Sequence, residues 1–205
     1  MQYNDLASAE SIKTTIANLA SHNIEGLVVE NKEEALEKIK SLIPTDSSVM
    51  NGSSVTLETI GFVDYLKEGK HGWNNLHAGI VAETDPTKQA QLRQDAIHAD
   101  YYLGSVHALS ETGEFVVASN TGSQLPHVVS TSPNLIFVVG AQKIVPTLGD
   151  ALKRLEEYVV PLENERALKA YGGPTTLNKI VIFKGESPYT GRKIRLIIVN
   201  ESLGF

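Results

Sequence analysis

The chain has 205 residues, 41% of them hydrophobic, enough for one domain with a sizeable core, which excludes disorder as the whole account. Twenty-four acidic against 18 basic side chains leave a formal charge of −6, so no broad basic face awaits nucleic acid or anionic lipid. Cysteine is absent, which excludes disulfides, a cysteine nucleophile and any thiolate-held metal or iron–sulfur cluster within this chain.

The first residues carry neither a basic stretch nor an apolar run of signal-peptide type, so the cytoplasm is the expected compartment and no membrane association is expected. The glycosylation triplets at Asn51 and Asn200 are read as chance matches. Ile12, Ile16, Leu19 and Ala20 have helical spacing, and the β-branched run 24–29 predicts a strand. Residues 33–43 repeat the helical pattern with Ala35, Leu36, Ile39 and Leu42 on one face, stopped by Pro44 before a short strand at 48–50. Alternation of this kind predicts an α/β sheet with crossover helices.

After Asn51-Gly52-Ser53-Ser54, a helix is predicted from Thr56 through Leu66. Residues 68–78, rich in Gly, Lys, His and Asn around the only tryptophan, Trp73, read as an exposed loop, and apolar exposure there would support a homodimer. Thr84-Asp85-Pro86 opens a helix to about His98 through a capping side chain and a proline in the first turn. Runs at 101–106, 114–118 and 134–139 predict strands, and 147–159 is an amphipathic helix that Pro161 is expected to end. A short helix at 162–170, a break at 171–174 and strands at 180–183 and 194–199 follow. One domain over 1–205 is expected, with residues 1–23 an N-terminal helical segment and 171–205 carrying strands that complete the sheet.

No Gly-x-Gly, Walker A, His-Glu-x-x-His or Gly-x-Ser-x-Gly motif is present, so the common nucleotide, zinc-protease and α/β-hydrolase signatures all fail. Four segments remain. Gly52, Ser53, Ser54 and Thr56 place hydroxyls and free N–H groups where a helix begins, which suits a carboxylate or phosphate, or else merely caps the helix. Gly104, Ser105, His107, Glu111, Thr112 and Gly113 join two strands, and His107 with Glu111 suits acid–base or nucleophilic work if both face one cleft. Asn120, Thr121, Gly122, Ser123 and Gln124 lie in the stretch 115–142, which has no charged residue; their polar groups serve either a ligand or the local backbone. Gln142 and Lys143 follow a strand, where at the carboxyl edge of the sheet Lys143 can approach an anion, or else is simply solvated. His71 and His77 have no helical metal-site spacing, so no metal site is expected.

Taken together, Gly104-Ser105-Val106-His107-Ala108, Glu111-Thr112-Gly113, residues 118–126 and residues 138–145, with the upstream 53–61, resemble the lactate-utilisation (LUD) domain family, LutC/YkgG-like. The resemblance implies a three-layer α/β/α sandwich with a mostly parallel sheet, similar to the sugar-phosphate isomerase and CoA-transferase group, and a role associated with oxidation of L-lactate to pyruvate. It departs from longer members at 173–180 and 184–191, where an aspartate and a histidine of the family pattern are missing, as in a short stand-alone branch.

The leading expectation is a cleft for a small organic anion, whether carboxylate, phosphate or CoA ester. Glu111 and His107 are its catalytic pair, and Ser54, Thr56, Asn120, Gln124 and Lys143 are its main ligand contacts. The chain itself needs no cofactor, and iron–sulfur clusters would sit in separate redox subunits. The alternatives are a non-catalytic subunit that docks onto such partners, and CoA-transferase-like or sugar-phosphate chemistry.

Overall fold

The computed structural model describes residues 3–205, which form α1 (Ala9–Ser21), β1 (Glu25–Val29), α2 (Lys32–Leu42), β2 (Ser48–Asn51), α3 (Val55–Thr59) and α4 (Phe62–Glu68). Next come β3 (Asn74–Asn75), α5 (Leu76–Ala82), α6 (Pro86–Asp95), β4 (Tyr101–Gly104), β5 (Ala108–Ser110) and β6 (Phe115–Ser119). A π-helical turn at His127–Thr131 leads to β7 (Asn134–Gly140), a 3-10 turn at Ala141–Lys143 and β8 (Ile144–Val145). The chain closes with α7 (Leu148–Arg154), α8 (Val160–Tyr171), β9 (Lys179–Phe183) and β10 (Lys193–Val199).

Helix starts follow the side chains that can cap them. Ser8, Asn31 and Thr147 accept the N–H groups of Ser11, Glu34 and Asp150, and Asp85 caps α6 with Pro86 in the first turn. Six strands form one sheet in the order β1-β10-β7-β4-β2-β3, every pair parallel. Because side chains alternate across a strand, Leu103, Ile136, Val138, Ile197 and Val199 bury one face against α2, α3 and α4. Tyr102, Leu135, Phe137, Val139, Leu196 and Ile198 bury the other, against α1 and a second sheet. The result is the expected three-layer α/β/α sandwich with a parallel sheet.

The second sheet, ordered β8-β5-β6-β9, holds the antiparallel pairs β5/β6 and β6/β9. Leu109, Phe115, Val117 and Phe183 face the large sheet, while Ala108, Val116 and Ala118 pack on Ala151, Leu155 and Val159. The C-terminal strands therefore divide: β10 inserts between β1 and β7, and β9 edges the small sheet.

Three local expectations are corrected. Residues 68–78 are not one exposed loop: α4 ends at Glu68, Asn74 and Asn75 extend the parallel sheet beside β2 and α5 begins at Leu76, which leaves a short turn with Gly69, Lys70 and Gly72 exposed. Trp73 is buried, donating Nε1–H to the Ile43 carbonyl at 3.2 Å and packing on Phe62 and Tyr65, so it presents no surface to a second copy. The predicted helix 56–66 is two helices, broken at Gly61, whose φ of 76° is open to glycine at little cost. Pro161 does not end the helix begun at Leu148; residues Leu155–Val159 widen into a π turn and α8 starts with Pro161 in its first turn, where its missing N–H is harmless.

Gly140 closes β7 where the backbone of residues 201–203 crosses it. A Cβ there would meet Leu203 N at 2.7 Å and Glu201 O at 2.8 Å, atoms that cannot move independently. Gly140→Ala is expected to cost about 2 kcal/mol or more through this overlap; an unchanged urea midpoint would show that the crossing is looser than described.

Candidate functional site

From β2 the chain moves outward to β3 and returns to form β4 on the other side of β2. The link after β2 runs through α3 and α4 on one face, and the link after β4 enters the small sheet on the other. The connections that leave the carboxyl ends of the paired strands β2 and β4 thus diverge to opposite faces, the position at which parallel α/β sheets form a crevice. A cleft of about 790 Å³ opens there, walled by α5, α6, the end of β6 and α8.

At its base lies Lys143, set on the 3-10 turn that follows β7 and only 2% exposed. Its Nζ donates to Thr56 Oγ1 and Ser105 Oγ at 3.0 Å each, and to the Val106 carbonyl at 3.2 Å. These contacts fix the ammonium between the loops that follow β2, β4 and β7, but all are dipoles, and no carboxylate pairs with Lys143 among the described residues. Arg154, on α7 and fully buried, also lacks a carboxylate; Nη1 donates to the His107 carbonyl at 2.5 Å and Nε finds no partner. Desolvation first, and then Arg154, push the Lys143 pKa down to about 7.

His107 lines the cleft between these cations. Its Nδ1 accepts the Ala118 N–H at 3.0 Å, so the neutral ring carries its proton on Nε2. Desolvation, then Lys143 and Arg154, push its pKa down to about 3, so it stays neutral at physiological pH. The unfolded chain binds that proton below about pH 6.5 and the folded chain does not, so acid favours unfolding. His107 alone is expected to remove about 2 kcal/mol of stability at pH 5, and His107→Gln to flatten the pH dependence of the denaturation midpoint between pH 7 and 5. A variant with the parent's slope would contradict this protonation state.

The structure gathers most of the residues expected from sequence. Gly52, Ser53, Ser54 and Thr56 line the cleft from the loop after β2, although Ser54 Oγ is already engaged as the cap of α3, accepting the Leu57 N–H at 3.3 Å. Gly104 and Ser105 join them from β4, and Asn120, Thr121, Ser123 and Gln124 from the turn after β6. That last turn is largely satisfied by itself: Thr121 donates to Ser123 Oγ, Gln124 Nε2 to the Ala118 carbonyl, and Asn120 Oδ1 accepts from Asn178. Gly122, outside the lining, provides the φ of 87° that the turn requires and is covered by the Lys179 stem.

Glu111 does not meet His107. Its carboxylate accepts Ser11 Oγ at 2.5 Å and its carbonyl accepts Asn18 Nδ2 at 2.6 Å, both from α1, on the far side of the small sheet's hairpin from the cleft. The spacing 107–111 misled because the β5 strand between them sends its two ends to different surroundings. Thr112 and Gly113 stay with Glu111 in that turn, Thr112 donating to Glu114 and Gly113 holding a φ of 97° against α1. Gln142 is buried behind Lys143, its Nε2 donating to the Leu203 carbonyl at 2.9 Å.

Sequence reasoning left Asn51, Tyr102, His127, Arg192 and Arg154 out of the site. Asn51 is buried in the lining with Nδ2 on the Gly52 carbonyl at 3.3 Å and Oδ1 without a partner. Tyr102 and His127 stack in the wall with ring centroids 4.8 Å apart, and Arg192 fastens the π turn beneath them through the His127 and Val128 carbonyls. Arg154 left one readable trace, a cation placed on the apolar stripe of 148–159. Among the described residues the one acidic side chain in the lining, Glu163, is paired with Arg166 at 2.7 Å, whereas the side chains of Lys143 and Arg93 bring positive charge. Among the described residues no cluster of three or more His, Asp or Glu could hold a metal ion, and no helix is long and apolar enough to cross a membrane.

A LUD domain profile matches residues 12–197. Curated protein sequences return no match. Among solved structures, a DUF162 family protein from Deinococcus radiodurans is similar in fold, with a TM-score of 0.59 and 15% identity over 96% of this chain and 100% of that one.

Proposed function

The chain belongs to the LUD domain family, and from that premise we propose that its cleft holds a small hydroxy carboxylate of the lactate class. The family is linked generally to lactate utilisation. The observation that carries the finer reading is the uncompensated charge at the cleft base: among the described residues neither Lys143 nor Arg154 behind it has a carboxylate partner. Leaving a buried cation unpaired costs several kcal/mol, and a bound carboxylate offsets that cost without any change in the fold.

Asn51 supports a hydroxyl beside the carboxylate. With Nδ2 fixed on the Gly52 carbonyl, the unpartnered atom is an acceptor, so it complements an O–H and not a second carbonyl. His107 presents an Nε2 proton to the same space and can donate to the ligand's oxygen. A three-carbon acid fills only part of about 790 Å³, which leaves the outer cleft between α6 and α8 for a second reactant or a redox partner. With no cysteine in the chain, thiolate-held clusters in such a partner belong to a separate subunit.

Calorimetric titration with L-lactate and with pyruvate tests this reading. Lactate is expected to bind roughly three- to tenfold more tightly, one neutral hydrogen bond's worth, and Asn51→Leu to erase the difference. Equal affinities in the parent would remove the hydroxyl from the argument. Glu111→Gln, far from the cleft, is expected to leave both affinities unchanged, and a weakened lactate affinity there would return Glu111 to the site.

A further inference from the structure

Ser105 Oγ lies 3.0 Å from Lys143 Nζ and 2.7 Å from the Val138 carbonyl, and both side chains line the cleft where β4 and β7 end. Ser105 is half-buried and reachable from the cleft, and Lys143, 2% exposed, contributes to the lining directly beneath it. The charged and titratable groups that face Lys143 are Arg154 from α7 and His107 from the loop after β4, with no carboxylate among them. A hydroxyl in contact with a desolvated amine held beside a second cation is the arrangement that activates a serine without a histidine–carboxylate pair.

We propose that Ser105 is an acyl-accepting nucleophile with Lys143 as its base, acting on an ester or thioester of a small carboxylic acid. When Lys143 is charged it donates to Ser105, and the Ser105 proton points at the Val138 carbonyl. When Lys143 is neutral, rotation about Cβ–Oγ turns that proton onto Nζ without moving a heavy atom. Burial and Arg154 bring this change of state near neutral pH.

The step balances within the site. Ser105 Oγ bonds to the acyl carbon, its proton passes to Lys143 Nζ, and the bond to the alcohol or thiol breaks as that group takes the proton from Nζ. Water then attacks the Ser105 ester, gives its proton to Nζ, and Ser105 Oγ recovers it as the carboxylic acid leaves. His107, whose Nδ1 is occupied by the Ala118 N–H, lines the same cleft as Ser105, and its Nε2 proton is the donor assigned to the oxyanion formed in each half. The product is a carboxylate, the ligand class assigned to the cleft above, and it inhibits by holding Lys143 in its charged form.

Incubating the full chain with a fluorophosphonate, and separately with p-nitrophenyl acetate, tests the proposal by intact-mass and peptide-mapping spectrometry. One adduct per chain is expected, on Ser105, forming at a rate that rises through about pH 7 and then levels. Lys143→Met and Lys143→Arg are expected to slow labelling about 100-fold, the arginine keeping the charge but not the base, in proteins whose thermal midpoints show that they are folded. No adduct on the parent chain, an adduct on Lys143 itself, or parent-like labelling of Lys143→Met overturns the proposal. Lactate titration of the unlabelled parent is an independent readout: Ser105 labelling without lactate binding leaves this proposal standing and removes the one in the preceding section.

Discussion

Lys143→Met is expected to remove a rise in stability that the parent shows between about pH 7 and 10.5, and to weaken anion binding roughly 100-fold. Burial lowers the lysine's pKa from 10.5 to about 7 in the folded state, so between these values the unfolded chain binds a proton that the folded chain does not. Stability therefore increases with pH across the window, by up to about 5 kcal/mol for a shift of this size, and the full penalty applies below it. Methionine fills a similar volume and carries no charge. Thr56 and Ser105 lose the Nζ donor but keep their acceptors, the Leu203 and Val138 carbonyls, and the Val106 carbonyl keeps Ser105 Oγ at 3.3 Å. Neutral or higher stability at pH 6, with the slope to pH 10.5 gone, is the expected signature in chemical denaturation. A variant with an unchanged slope would show that the parent's lysine titrates normally.

The second large effect concerns the joint between the sheets. Phe115 on β6 stacks on Phe183 of β9 at 4.5 Å and tilts against Phe137 of β7 at 5.6 Å, so one ring ties both sheets into a shared core. Close packing on two sides leaves little room for collapse, and Phe115→Ala is expected to cost about 3–5 kcal/mol in urea denaturation. Because His107 immediately precedes β5 and the end of β6 walls the cleft, ligand affinity is expected to fall with it. A loss below about 1 kcal/mol would mean that the small sheet is held by its own hydrogen bonds and not by this contact.

Much of this architecture is legible in the chain. Apolar runs such as 135–139 and 194–199 announce strands buried on both faces, and Ser8, Asn31, Asp85 and Thr147 mark helix starts. Strand partners are not local properties, which is why β9 and β10, both expected to complete one sheet, belong to two. Trp73 sits among Gly, His and Asn and reads as exposed, yet the short β3 strand beside it draws the indole onto Phe62. Pro161 reads as a terminator because the π turn that accommodates it has no composition of its own. In the site, the loop positions after β2, β4 and β7 were readable as sheet-end residues, and Ser105, Thr56 and Lys143 do converge. Burial was not readable: Lys143, expected at the carboxyl edge of the sheet, lies buried at the cleft base, and Glu111 turns to α1 because it follows β5 whereas His107 precedes it, which puts them at opposite ends of that strand.

The central claim, that an organic anion supplies the counter-charge Lys143 lacks, is tested most directly by calorimetric titration of L-lactate at pH 7.5. Run in two buffers of different ionisation enthalpy on the parent and on Lys143→Met, the titration reports both affinity and protons exchanged. Binding with net proton uptake is predicted for the parent, because an adjacent anion raises the Lys143 pKa, and a roughly 100-fold weaker interaction without uptake is predicted for the variant. Equal affinity in the two proteins, with no proton taken up by either, would contradict it.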